Sequence, residues 1–421
     1  MKEDLLQYFW RTHNWKDRLY VTTNGLPIHI VTPGILNHDV GPDFSNAKIR
    51  IGDELWVGNV EIHVRSSEWY IHRHQYDPAY RTVILHVVWT EDQPVFMDEN
   101  IRIPCLALKS IISKEILDNY ERLMNNALWV PCQNVVNRFD MEKGLLGMNA
   151  RLVEKFEDKS AVLQHIFDKT KGDWNETLHR FIARGFGLNV NGDAFELLAE
   201  KMNYQLTQKY QHDPVKLEAI AFSASGLIPD GNSDHTEKLW QIYQTLPHND
   251  RPTPLAQGVF KFFRTRPSNF PGLRIAQWLK FLSNPGSLFD TVINLNSPIE
   301  FSAIICQPLD EFWKNHFSFT AEAKNFSTQA GKDFADLLLI NSIAPFLFFY
   351  GKITDNYELR QKAVDLLDAM KAESNSVIRG FHQLGFPINF ASHSQAFLLL
   401  KKKYCNRKRC LECPFGVQIF K

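Results

Sequence analysis

Asp43, Glu61 and His63 are the residues whose types and spacing promise chemistry. Glu61 and His63 stand two apart in an extended run, so strand alternation turns both to one face. Asp43 lies one strand upstream, behind Pro42, which restricts the local backbone. A turn between the two strands would set Asp43 beside Glu61. Two carboxylates on neighbouring strands suit Mg²⁺ or Mn²⁺, which prefer oxygen and leave positions for water and phosphate. Such an ion polarises a phosphodiester and lowers the pKa of a bound water. His63 would orient or deprotonate that water. The alternative is a polar strand face held by hydrogen bonds and ion pairs.

Further candidates surround this trio. His72 and His74 are spaced to share a strand face and to contact substrate phosphate, and with His63 and His86 they could build a transition-metal site. His86 lies inside the apolar run Val83-Ile84-Leu85-His86-Val87-Val88-Trp89 and reads better as a core histidine. Ser66 and Ser67 lack the nucleophile elbow of a serine hydrolase, and are expected to cap or to bind a ligand oxygen. Cys405, Cys410 and Cys413 form Cys-x4-Cys-x2-Cys among six cations. Zn²⁺ or an iron–sulfur cluster wants a fourth ligand. Cys132 is the candidate, with Cys306 or a histidine as alternatives.

Pro42-Asp43 and Glu61-Ile62-His63 resemble the two signature elements of the PD-(D/E)XK nuclease superfamily, with His63 where Lys is usual. The resemblance implies a restriction-endonuclease-like sheet in which Asp43 and Glu61 are metal ligands. It makes Glu3 on an opening helix a further acid, and Lys48 or Arg65 a source of the missing cation. The chain also resembles an uncharacterised bacterial family, a domain of unknown function. That likeness rests on Gly41-Pro42-Asp43-Phe44, Gly58-Asn59-Val60-Glu61-Ile62-His63, Ser66-Ser67-Glu68-Trp69, His72-x-His74 and the apolar run of Val83. It runs nearly end to end, cysteine tail included, and implies no activity.

The elements that must position these groups are legible in outline. Leu5, Leu6, Phe9 and Trp10 mark an opening helix. Asn24-Gly25 and Pro33-Gly34 punctuate short strands. Alternation at 47–51 and 56–64 marks two more, and the run of Val83 fits a strand covered on both faces. After about residue 106 the texture becomes helical. The fold class expected is α+β, in three parts. A nuclease-like α/β domain spans 1–110, an α-helical domain 111–400, and a basic cysteine-rich tail packed on the rest 401–421.

Composition narrows the function classes. The 421 residues carry 47 Lys+Arg against 47 Asp+Glu, so no whole-protein basic field serves nucleic acid. Any DNA or RNA contact must be local. Arg180, Arg184, Arg264, Arg266 and Arg274 are candidates for a phosphate groove, with surface ion pairing the preferred reading. No P-loop is present, and Gly185-Phe186-Gly187 lacks the rest of a dinucleotide fingerprint, so no nucleotide cofactor is expected. The acidic start lacks a secretory pattern and the apolar run 337–350 is read as too short to cross a membrane. A cytoplasmic protein without a membrane partner is expected; the oligomeric state stays open. The leading expectation is a Mg²⁺-dependent nuclease-like protein. The alternative is a non-catalytic nucleic-acid or protein-binding module on a degenerate nuclease-like sheet.

Overall fold

The computed structural model describes residues 2–15, 19–37, 39–97, 101–228, 233–263, 265–324 and 326–420. The chain divides into two units, 1–147 with 400–421, and 148–399. The first unit therefore continues past residue 110, where the texture changes, and takes in the cysteine tail.

The first unit opens with α1 (Glu3–Thr12), as its apolar stripe predicts. Seven strands follow: β1 (Tyr20–Val21), β2 (Pro27–Thr32), β3 (Ile35–Leu36), β4 (Phe44–Ile51), β5 (Glu54–Arg65), β6 (Val83–Thr90) and β7 (Cys105–Ala107). They form one mixed sheet in the order β1-β2-β4-β5-β6-β7, with β3 beside β4. β2, β4 and β5 pair antiparallel; β5, β6 and β7 run parallel. Together with the helices this is an α+β fold. β6 is buried from Val83 to Val88, as a parallel strand covered on both faces must be. Gly34 adopts a φ of +92°, and a Cβ there would stand 2.6 Å from the Ser45 carbonyl oxygen, so only glycine fits the turn into β3.

The core of the sheet is the face with even residues of β5. Val60 and Ile62 join Leu6, Phe9 and Trp10 of α1, with Phe44, Ile49, Leu85 and Val87, in one apolar cluster. At roughly 25 cal/mol per Å² of apolar surface, this burial holds α1 on the sheet. A smaller cluster links Leu5 and Tyr8, on another side of α1, to Tyr120, Leu123, Cys410 and Phe420.

Between β5 and β6 the chain forms a short helix, α2 (Glu68–Ile71), and 3-10 turns at His74–Tyr76 and Pro78–Thr82. His72 and His74 thus do not lie on a strand, contrary to expectation. The residue between them, Arg73, takes the left-handed conformation (φ 62°, ψ 30°). That reversal ends the helix and brings both rings to the same side.

The second unit is mainly helical, with helices that begin on capping side chains such as Asp173, Asp213 and Asn375. Gly185-Phe186-Gly187 lies within a helical stretch, Trp174–Lys201, that is broken by a kink at Leu188 (φ 56°). Arg180 pairs with Glu176 and Glu200, and Arg184 with Asp193 and Glu196. Arg274 is buried over the Phe334 ring and bonded to Gln277 and Asn269. Arg180 and Arg184 are ion-paired, as the ion-pairing reading expects, whereas Arg274 is buried with no ion pair among the described residues, contrary to that reading; Arg266 is exposed, and Arg264 lies outside the described residues. The apolar run 337–350 belongs to a helical stretch, Lys332–Ile353, of 22 residues. It is long and apolar enough to cross a membrane, which corrects the reading of the run as too short. Its most apolar window is 78% buried inside the protein, as a core helix requires.

Candidate metal centre

Antiparallel pairing of β4 with β5 brings Asp43 to Glu61, because Phe44 and Val60 are register partners. A bulge follows at once, with Asn46 at a φ of 56°. The two acids clasp each other's strands. The Asp43 amide donates to Glu61 Oε2 (3.1 Å), and the Ile62 amide donates to Asp43 Oδ2 (3.0 Å). Gln7 of α1 donates to Asp43 Oδ1 (2.9 Å) and to Glu3 Oε1 (3.0 Å). Three carboxylates are thus gathered at the meeting of α1, β4 and β5. Among the described residues no Lys or Arg pairs with any of them, so neither Lys48 nor Arg65 supplies the cation the nuclease resemblance implies.

The other oxygen of Glu61 faces imidazoles. Glu61 Oε1 lies 3.5 Å from His63 Nε2 and 3.4 Å from His74 Nε2. His63 Nε2 lies 3.2 Å from His72 Nδ1. The donor nitrogens of His63, His72 and His74 all fall within 4.8 Å of one another. A metal–nitrogen bond of about 2.1 Å gives tetrahedral edges of about 3.4 Å, close to the separations of His63 from His72 and of Glu61 from His63 and His74. Asp43 stands behind the group, through Glu61.

His86 enters from β6, opposite Glu61 in the parallel register, and its Nε2 meets His63 Nδ1 at 2.9 Å. A neutral imidazole carries one N–H, so this contact leaves His63 Nε2 as a lone pair aimed at the group if His63 is the donor. His86 is therefore more than a core histidine: it fixes the His63 ring, as hydrogen-bond partners of metal-binding histidines do. Trp69 and Tyr80 wall the group, with Tyr80 stacked on His74 at 3.8 Å between centroids. His74 Nε2 is buried and has no hydrogen-bond partner. His63 is 1% exposed, whereas His72 lies at the surface and marks the open side.

The electrostatics point the same way. Burial, and then the charge of Asp43, raises the Glu61 carboxyl; burial raises Asp43 as well, against the bonds from Ile62 and Gln7. Glu3 is pushed up to about 7 by burial, with Asp43, Glu68 and Asp4 adding to it. Burial and neighbouring imidazoles hold His63 well below the usual histidine range, His74 at about 4 and His86 at about 3. Neutral imidazoles are the form that binds metal, and crowded carboxylates are the form that a cation relieves.

Ser66 and Ser67 are employed elsewhere. The Ser67 hydroxyl donates to Asp92 Oδ2 (2.7 Å), while Ser66 bonds Asp92 and the Gln93 carbonyl and accepts both their amides. They brace the end of β5 against the loop after β6; Ser67 stands at the start of α2 but its side chain makes no cap bond there, and neither hydroxyl is turned to the acid–imidazole group.

A family model described as a protein of unknown function (DUF2851) matches residues 3–376. The chain belongs to this family. For this DUF2851 protein no curated protein and no solved structure gives a significant match. The matched residues contain the whole acid–imidazole group and Cys132. They end before Cys405, so the likeness does not extend to the cysteine tail as expected.

A pH test isolates the acidic side. In chelator, folded Glu3 holds its proton more tightly than the unfolded chain, with about 7 against an ordinary 4.5. Its contribution is intact below pH 4.5 and is lost as pH rises through 7, where the buried charge opposes folding. Glu3→Gln should therefore raise the metal-free Tm by a few degrees at pH 8 and leave it unchanged at pH 4. Partial exposure of Glu3 keeps the gain modest. Thermal melts at both pH values check this; equal shifts at the two would contradict it.

Proposed function

We propose that this protein is a metal-dependent hydrolase of nucleic-acid phosphodiesters, built on a restriction-endonuclease-like sheet. The observation that carries the reading is the convergence of three imidazole nitrogens, with Glu61 Oε1 within 3.5 Å of two of them and, among the described residues, no Lys or Arg paired with the carboxylates. An opening helix followed by a sheet whose adjacent strands bear Asp43 and Glu61 also accords with the nuclease resemblance. The imidazoles favour Mn²⁺ or Zn²⁺ over Mg²⁺, which prefers oxygen. When bound, the ion supplies Lewis acidity and a water of lowered pKa. Glu61, His63 and His74 hold it from the buried side. Asp43 and His86 orient Glu61 and His63. His72, on the open side, yields its position to water or phosphate and takes up the proton. His63 is thereby a ligand, since its buried ring and engaged nitrogens do not suit a base.

Purified protein with single- and double-stranded DNA and RNA, supplied with Mn²⁺, Zn²⁺ or Mg²⁺ in turn, tests the assignment. Chelator-sensitive cleavage is expected, weakened roughly 10–100-fold by His86→Ala, which removes the partner of His63 Nδ1, the scale of losing a ligand's orienting partner. Cleavage indifferent to chelator and to this substitution would sink it. His63 in the usual place of Lys favours a second reading, a binding module without turnover. Salt-sensitive nucleic-acid binding with no cleavage under any of the three ions is its signature.

A further inference from the structure

The cysteine tail folds against the loop that carries Cys132. The Lys408 ammonium donates to the carbonyls of Met124 (2.5 Å) and Asn126 (2.8 Å), and the Asn126 amide donates to the Pro131 carbonyl (2.9 Å). Cys132 packs on the apolar cluster that contains Cys410. The Cys413 amide bonds the Cys410 carbonyl, and the Lys408 amide bonds that of Cys405, so tight turns gather the three tail residues. Each of the four thiols lies within electrostatic reach of the other three, and none is in a disulfide. Cys105, on β7, has Glu91, Thr23 and Arg102 as its neighbours instead, and Cys306 belongs to the second unit.

The spread of the sulfurs distinguishes two kinds of occupant. Four thiolates around one zinc, with bonds of about 2.3 Å, place their sulfurs about 3.8 Å apart. Among the described residues, no three of these thiols have their sulfurs within 4.8 Å of one another. An iron–sulfur core is itself a few ångströms across and needs the wider set. The Cys-x4-Cys-x2-Cys spacing is the one found in plant-type ferredoxin clusters, with the remote fourth cysteine here before the triplet instead of after it.

We propose that Cys132, Cys405, Cys410 and Cys413 hold an iron–sulfur cluster rather than a zinc ion. Ferric iron and sulfide enter from solution, and four thiols release their protons to water as four sulfur–iron bonds form, with no net change of oxidation state in a two-iron, two-sulfide core. Burial favours the protonated thiols in the empty site, raising Cys410 to about 12, so the cluster must displace those protons. Once in place it ties residue 132 to the tail and supports the face of α1 that carries Leu5 and Tyr8. Opposite lie Glu3 and Gln7, so the cluster would steady the acidic site from outside it.

The test is purification under anaerobic conditions, followed by reconstitution with ferric iron and sulfide. The expected result is roughly two to four irons and as many acid-labile sulfides per chain. A visible charge-transfer absorption that dithionite bleaches should accompany them. Cys132→Ser should lose more than half of the iron, while Cys306→Ser keeps it. Should Cys132→Ser fail to fold, the iron, sulfide and zinc content of the unaltered protein still decides. One zinc per chain without sulfide, an anaerobic protein that takes up no iron, or full cluster content in soluble Cys132→Ser would each overturn the proposal.

Discussion

Glu61→Ala protein is expected to lose roughly 10²–10³-fold of its metal-dependent cleavage rate, the range over which single charged groups act in water-poor sites. Glu61 is the one side chain that touches both halves of the site. Its Oε2 accepts from the Asp43 amide and its Oε1 faces His63 and His74. Truncation removes a ligand and also releases the clasp between β4 and β5. Glu61→Gln separates the two effects, because the amide oxygen still accepts from Asp43 while the charge is gone. If charge is the cause, the two variants fall together in rate, and Glu61→Gln melts at or above the unaltered protein in chelator, since burial opposes the carboxylate. Steady-state cleavage and metal titration by calorimetry check this. Near-normal metal affinity and rate in both variants would remove Glu61 from the chemistry.

Trp69→Ala should cost about 3–5 kcal/mol in the unfolding of the first unit, the usual penalty for deleting a large buried ring. Trp69 is fully buried and touches His74, Tyr80 and His86, at centroid distances of 5.4, 5.7 and 5.6 Å. The vacancy would free His74 and His86 to turn, so metal affinity should fall along with stability. Its indole nitrogen is buried without a hydrogen-bond partner, hence Trp69→Phe should be far milder. Urea unfolding followed alongside metal binding measures both. An unchanged midpoint in Trp69→Ala would mean that the wall around the histidines is not as packed as described.

Much of the site was legible because strand periodicity is local. Two-residue alternation set Glu61 and His63 on one face, and a strand break beside Pro42 brought Asp43 back to them. The apolar run of Val83 identified a buried parallel strand. What failed to show depends on contacts remote in sequence or on one unusual dihedral. The partnership of His63 and His86 arises from a parallel register that only the folded sheet defines. The meeting of His72 and His74 needs Arg73 in a left-handed conformation, which an arginine does not advertise. Ser66 and Ser67 answer to Asp92, far along the chain. The end of the first unit at residue 147 was hidden because helical texture begins well before it.

The first unit is assembled from the two ends of this sequence, with all of 148–399 between them. During synthesis the ribosome delivers Leu5 and Tyr8 long before their partners Cys410 and Phe420. The sheet can form while translation continues, but the outer side of the opening helix stays uncovered until residues 410–420 emerge. A nascent chain halted before Cys405 would carry every acid and imidazole of the site on a helix missing its outer support. Arrival of the cysteine tail thus becomes a checkpoint on the site itself.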